Sequence, residues 1–377
     1  MRGPRVLILS AGVGEGHELP ARVLATELRH RAPGAEVEVA DGLAAMGRAM
    51  TAVGEGGMRA TFGLDRMHWV FDLQYLVFAR LAPTRALGQW LMHRVSGGRL
   101  ERFVRERRPD VVVSTHPAVT EGLARLRRAG RLEMPTVSAI TDLAALRYWA
   151  SRGIDVHLLT HPESGDEVRR IAGPATRIVP VHGLTDPAFL DPPSPEEARR
   201  ALGLPGAGGV VAVSGGGWGV GDLVGAVRAA LEVPGVGAVL CLCGRNDALR
   251  ASLQGELAGE RRARILGFVE RMVDVMAAAD VLVHSTAGLT VLEAWMLGCR
   301  PISYGWGVGH VRLNNRAFRR FGLADVVASE PELRAAIARA LAAPRVVRVE
   351  EFARLPAASQ VVLELTAAGR ESLAARA

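Results

Sequence analysis

His17 stands at the mouth of a glycine-rich turn, Ala11–Gly16 (AGVGEG), that follows the apolar run Val6–Ser10. Imidazole titrates near neutral pH, so a histidine placed there can act as a general base or touch a ligand. It can equally be a helix-start histidine bonded to backbone. Gly12, Gly14 and Gly16 do not make a dinucleotide fingerprint, which would need a glycine at 17. A second glycine turn, Gly215–Gly221 (GGGWGVG), follows Val210–Ser214 and precedes a helix-like run from Asp222 to Leu231. It carries no acid or nucleophile, so its chemistry is that of a phosphate cradle, against the alternative of a plain flexible turn. The third cluster lies in Ala279–Arg316. His284-Ser285-Thr286-Ala287-Gly288 ends an apolar run, and Glu293 sits inside the apolar stretch Leu289–Leu297. Ser285, Thr286 and Thr290 offer hydroxyls to an anion. A carboxylate buried at 293 needs a partner, either ribose hydroxyls or an arginine.

These clusters must be positioned by strands. Short apolar runs fall at Val6–Ser10, Glu36–Ala40, Asp110–Ser114, Thr136–Ile140, Asp155–Thr160 and Ile178–Val181 in the first half. In the second they fall at Val210–Ser214, Ala238–Cys243, Ala263–Leu266, Val281–His284, Pro301–Ser303 and near Asp325–Ala328. Helical patterns alternate with them, which predicts parallel sheets covered by helices on both faces. The Pro-, Gly- and charge-rich stretch Thr185–Gly209 reads as a linker with a short helix at Pro195–Leu202. The expected organisation is an N-terminal Rossmann-like domain over 1–182 and a linker over 183–205. A second Rossmann-like domain covers 206–345, and a helical tail over 346–377 packs back on the first domain.

Composition narrows the chemistry. The 377 residues contain no lysine, so all 46 basic residues are arginine. Walker-type phosphate lysines, Schiff bases and pyridoxal phosphate are thereby excluded. Cys241, Cys243 and Cys299 form no disulfide framework, which fits a reducing compartment. The first strand begins at once, so no secretory leader is expected. Cys241 and Cys243 share one face of a strand and read as core. Net charge is +7, and the basic excess gathers in residues 51–131, where nucleic acid, an anionic membrane or solvent could face it. An insertion over 42–95 holds Trp69, Phe71, Tyr75, Phe78 and Trp90 among methionines and arginines. Asp72, Gln74 and Arg80 make it too polar to span a bilayer. It reads either as a helix lying in the membrane interface or as an ordinary core helix with a basic side.

Together these residues resemble the inverting GT-B glycosyltransferases that contain the monogalactosyldiacylglycerol synthases, the processive diacylglycerol glucosyltransferases and the lipid II N-acetylglucosaminyltransferase. Ser10 to His17 looks like that family's S-x-x-x-G-x-G-H opening. Ser114-Thr115-His116-Pro117 and Thr141-Asp142 match its mid-domain motifs, and Gly183, Phe189 and Ala201–Leu204 its linker. Ser214–Gly221 matches its second glycine loop, and Gly288-Leu-Thr290-Val-Leu-Glu293 its nucleotide-sugar signature. The chain departs from the pattern in two places. Val308–Asn314 keeps Gly309 and Asn314 but lacks the family's Gln-Glu pair, and Leu146 stands where the family's T-D-[FY]-x-x-H places histidine. Trp149 is retained.

The resemblance implies an α/β GT-B fold, two Rossmann-like domains with parallel sheets facing a cleft. It implies catalysis by His17, with Asp142 acting through it. Glu293 would hold the ribose. Gly215, Gly216, Gly217, Ser285, Thr286, Ala287 and Gly288 would face the diphosphate. Phe268 and Val269 would line the uracil pocket. Gly14, Gly16, Ser214, Thr290, Gly309, His310 and Asn314 complete the implied donor site. Trp69, Phe71, Tyr75, Phe78, Trp90, His116 and Trp149 are assigned to the acceptor or membrane. The expected activity is inverting transfer of a sugar from a UDP-sugar to a hydroxyl, with a membrane lipid such as diacylglycerol as acceptor. The UDP-sugar is a substrate, and neither a cofactor nor a metal is expected. The expected partners are the UDP-sugar, the lipid and an anionic membrane surface, without nucleic acid. The expected location is cytoplasmic and peripheral on the inner face of the cell membrane. A soluble small-molecule transferase, a UDP-sugar epimerase and a non-catalytic UDP-sugar-binding protein are the alternatives.

Overall fold

The computed structural model describes the chain except residues 1–2, 13–14, 53–81, 145, 286–287, 306–309 and 375–377. Its strands form two six-stranded parallel sheets. The first comprises β1 (Arg5–Ser10), β2 (Glu36–Asp41), β3 (Val111–Ser114), β4 (Thr136–Ile140), β5 (Val156–Leu159) and β6 (Arg177–Pro180). Its order is β2-β1-β3-β4-β5-β6. The second comprises β7 (Gly209–Ser214), β8 (Val236–Leu242), β9 (Ala263–Leu266), β10 (Val281–His284), β11 (Arg300–Tyr304) and β12 (Asp325–Val327), ordered β12-β11-β10-β7-β8-β9.

All twelve expected strands are present, and the alternation has the expected physical origin. Residues of β1 point alternately to two faces. Val6 and Ile8 join one core with Leu24 and Leu28 of the helix Glu15–Arg31. Leu7 and Leu9 join another with Val119, Leu123 and Leu126 of the helix Pro117–Arg128. A strand covered on both faces must be apolar throughout, which is why β3 reads Val-Val-Val-Ser and is buried along its length. Truncating a residue such as Leu9 to alanine would cost about 2–5 kcal/mol.

Each sheet has one position where strand order reverses. In the first, β1 pairs with β2 on one side and β3 on the other. In the second, β7 lies between β8 and β10, with Ser214 opposite His284. Ligands of open parallel sheets bind beyond the carboxyl ends of the strands at these points.

The chain forms two compact units, Met1–Asp186 with Arg354–Ala377, and Pro187–Ala353. The C-terminal helix Ala358–Ala374 belongs to the first. Ala358, Val361 and Val362 enter the core beside Leu24, and Ser359 Oγ donates to Glu27 Oε2 at 2.9 Å. Backbone bonds from His182 to Pro356 and from Ala358 to His182 fix the entry of that helix. Of the expected linker 183–205, the part from Pro187 packs into the second unit. Ser194 and Glu197 form a capping box at the start of the helix Pro195–Ala201, and Arg199 pairs with Asp280 at 2.7 Å. Cys241 and Cys243 are both buried in the core of the second unit, as packing residues.

Candidate active site

The first site gathers at the β1–β3 switch point. The helix Glu15–Arg31 begins two residues before His17, so the imidazole sits in its first turn. His17 Nδ1 lies 2.9 Å from the carbonyl oxygen of Thr115, the residue that follows β3. A carbonyl only accepts, so Nδ1 carries the proton and Nε2 is the basic nitrogen. A histidine bonded to backbone through Nδ1 is therefore compatible with a ring whose Nε2 is an acceptor. The clamp is reciprocal. Thr115 Oγ1 donates to the His17 carbonyl at 2.9 Å, and Ser10 Oγ donates to the same carbonyl at 3.0 Å. Thr141 Oγ1 reaches the Gly16 carbonyl at 3.5 Å.

Two rings flank His17. His116 meets it edge-on at a centroid distance of 4.7 Å, and Trp149 lies tilted at 5.7 Å. Trp149 is buried, and its indole N–H donates to Asp142 Oδ2 at 3.0 Å. Beneath them runs a buried hydroxyl chain. Thr120 Oγ1 donates to Ser114 Oγ at 2.9 Å, and Ser138 Oγ donates to the Trp149 carbonyl at 2.8 Å. These bonds fix the backbone of the flanking residues without charge. Burial, and next the neighbouring His17, hold the His116 imidazole well below the usual histidine pKa.

The second site gathers at the β7–β10 switch point. The turn after β7 has positive φ at Gly216, Gly219 and Gly221 (+69°, +65° and +99°), conformations that favour glycine. A Cβ at Gly221 would lie 2.7 Å from Ser285 Cβ, so the loop and the end of β10 are in direct contact. Asp222 caps the following helix, Leu223–Leu231, by accepting from Gly225 N at 2.8 Å. It also accepts from Tyr304 Oη at 3.2 Å. Burial, then Asp222, push the Tyr304 phenol up to about 12, so it stays a donor. Glu293 is 6% exposed within the helix Leu289–Met296. Asn314 is fully buried on the helix His310–Phe321, and its neighbour Asn315 accepts from Ser303 Oγ at 2.7 Å. Phe268 is exposed, with the Arg245 guanidinium 3.9 Å above its ring.

The structure thus brings His17, His116, Asp142 and Trp149 together in the first unit. In the second it brings Ser214–Gly221 against Ser285. Trp90 is exposed on the helix Ala82–Arg107, with Arg94 5.4 Å over its ring. Gly14, Trp69, Phe71, Tyr75, Phe78, Thr286, Ala287 and Gly309 lie outside the described residues, as does the side chain of His310. The sequence reading did not give Thr115, Ser10 or Tyr304 a role. The available signal was that Thr115 directly follows the apolar run Asp110–Ser114. Among the described residues no three His, Cys, Asp or Glu side chains cluster as metal ligands. No helix among them is long and apolar enough to cross a membrane.

Comparison with known proteins gives the chain's relatives and its fold. The family model of monogalactosyldiacylglycerol (MGDG) synthase matches residues 70–184. Monogalactosyldiacylglycerol synthase 1 of Arabidopsis thaliana is 29% identical over 213 residues, 53% of this chain and 40% of the plant protein's length. The processive diacylglycerol β-glucosyltransferase of Bacillus subtilis is 25% identical over 340 residues, 90% of this chain and 87% of that one. Among solved structures, MurG of Acinetobacter baumannii superposes with a TM-score of 0.59 at 16% identity, covering 96% of this chain and 99% of MurG. Arabidopsis thaliana UGT89C1 complexed with UDP gives 0.60 at 14% identity, covering 97% and 99%. Fold and homology define a glycosyltransferase of the GT-B type. Within that type, the chain is a homologue of the monogalactosyldiacylglycerol synthases and the processive diacylglycerol glucosyltransferases.

Proposed function

We propose that the protein transfers a hexose from a UDP-sugar to a hydroxyl of a membrane lipid, diacylglycerol or a close relative, with inversion at the anomeric carbon. The observation that carries this reading is the bond between His17 Nδ1 and the Thr115 carbonyl, which leaves Nε2 as the base at a strand-order switch point. The acceptor hydroxyl gives its proton to Nε2 as its oxygen attacks the anomeric carbon. The sugar–phosphate bond breaks, and UDP leaves with the electron pair. Asp142, held by the Trp149 indole, supports the charge that develops on the imidazole. In the second unit, the glycine turn Gly215–Gly217 and the segment that starts at Ser285 face the diphosphate, and Glu293 binds the ribose. The leaving group is stabilised by these fixed dipoles, without lysine and without a metal. The Bacillus subtilis homologue is a diacylglycerol glucosyltransferase by name, and UGT89C1 is a UDP complex; both support the donor and acceptor classes. Trp90 and the arginine-rich segment support a peripheral position on the cytoplasmic face of an anionic membrane.

The test is UDP release from a panel of UDP-sugars, with and without vesicles containing diacylglycerol. UDP release that needs the lipid supports the reading. Release or epimerisation without acceptor, or binding without release from any donor, refutes it.

A further inference from the structure

His116 is the N-cap residue of the helix Pro117–Arg128, yet its side chain makes no capping bond. Its Nδ1 is enclosed and has no hydrogen-bond partner among the described residues. An enclosed N–H without an acceptor is rarer and costlier than an enclosed lone pair. The proton of the neutral ring therefore sits on Nε2. The residue is half-buried overall, so with Nδ1 enclosed its accessible edge is the one that bears Nε2.

The neighbouring ring has the opposite tautomer. Thr115 holds the proton of His17 on Nδ1, so Nε2 is the basic nitrogen there. Two imidazoles with centroids 4.7 Å apart thus present one accepting and one donating nitrogen. A donor aimed at the attacking oxygen itself would lower its nucleophilicity. It is useful on a neighbouring oxygen, which it can anchor while the hydroxyl turns toward His17.

We propose that His116 Nε2–H donates a hydrogen bond to an acceptor oxygen one carbon away from the reacting hydroxyl. The site then selects acceptors with oxygens on adjacent carbons, as in a glycerol or sugar unit, over simple alcohols. No bond forms or breaks at His116. The inference rests on the reading of His17 as base given above.

Two measurements test it. In the full chain labelled with ¹⁵N-histidine and without substrate, the His116 ring should be neutral and protonated on Nε2 across roughly pH 6–8. A proton on Nδ1, or a doubly protonated ring, overturns the proposal. In detergent micelles, UDP release is then compared for dioleoylglycerol and oleyl alcohol. The wild type should favour dioleoylglycerol by about tenfold in kcat/KM, the worth of one good hydrogen bond. In His116→Phe that ratio should fall toward one, and in His116→Gln, whose amide keeps an N–H, it should partly return. An unchanged ratio in His116→Phe, or a wild type that turns over both alcohols without preference, refutes this inference alone. A wild type that releases no UDP with either alcohol refutes the transferase reading as well. The ring measurement is independent of turnover and tells the two failures apart.

Discussion

Thr115 and His17 hold each other by two bonds of 2.9 Å. The Thr115 carbonyl accepts from the imidazole, and the Thr115 hydroxyl donates to the His17 carbonyl. The first bond sets the tautomer and the second sets the ring's height above the strand ends. Thr115→Val keeps the first and removes the second. The expected result is a fall in kcat of about tenfold with UDP affinity unchanged, read by steady-state UDP release and calorimetric titration. A Thr115→Val enzyme with full kcat would show that the second bond does not matter to turnover.

Trp149 is enclosed, and its N–H is the bond given to Asp142. Trp149→Phe keeps much of the packing but leaves the carboxylate without that donor. Stability should fall by about 1–3 kcal/mol, and kcat should drop further than kcat of Leu146→Ala after correction for folded fraction. Urea denaturation followed by activity at matched folded fraction checks both.

Gly221 has φ +99° and faces Ser285 Cβ at the distance where any side chain must displace its neighbour. Gly221→Ala should cost about 1–3 kcal/mol of local strain and weaken UDP binding at least tenfold. Titration calorimetry with UDP is the measurement, and unaltered affinity would place the nucleotide elsewhere.

Glu293 lies enclosed in an apolar helix. Glu293→Gln preserves shape and removes the charge. UDP affinity should fall about 10–100-fold, the range of hydrogen bonds to a charged group, whereas uracil-free pyrophosphate should bind as before. Equal loss for both ligands would argue that Glu293 holds the fold and not the ribose.

His157 gives a pH dependence of stability. Ser151 N donates to its Nε2 at 3.2 Å, and its Nδ1 lies 3.1 Å from the Thr176 hydroxyl, so the ring is held neutral. Burial lowers its pKa from 6.5 to about 4, outweighing the opposing pull of the Arg177 backbone and Asp155. Between these values the unfolded chain binds the extra proton. The contribution is therefore whole above pH 6.5 and is lost as pH falls toward 4, amounting to about 3 kcal/mol. Thermal melts of wild type and His157→Asn should diverge at pH 7 and converge at pH 4.5; parallel curves would contradict the assignment.

The strands were legible because their information is local. A buried parallel strand such as Val111–Ser114 must be a short apolar run, and Gly215–Gly221 must be glycine-rich where φ is positive. The boundaries moved by a residue or two, as for β8, which ends at Leu242 and leaves Cys243 just beyond it. The partners of the site were not legible in the same way. Thr115 is 98 residues from His17, and Tyr304 is 82 from Asp222. Nothing in the local pattern of either member specifies the other; only the strand order, β1 beside β3 and β11-β10-β7 in the second sheet, brings their surroundings together. Glu293 was legible as a buried carboxylate because a charge inside Leu289–Leu297 breaks an otherwise apolar helix face.

The central claim is that Nε2 of His17 removes the acceptor's proton. Its most direct measurement is single-turnover sugar transfer by His17→Ala beside a UDP titration of the same protein. Transfer should fall by about 10²–10⁴-fold while the Kd for UDP stays within about twofold. Transfer at the wild-type rate would contradict the account, because the acceptor's proton would then leave without His17.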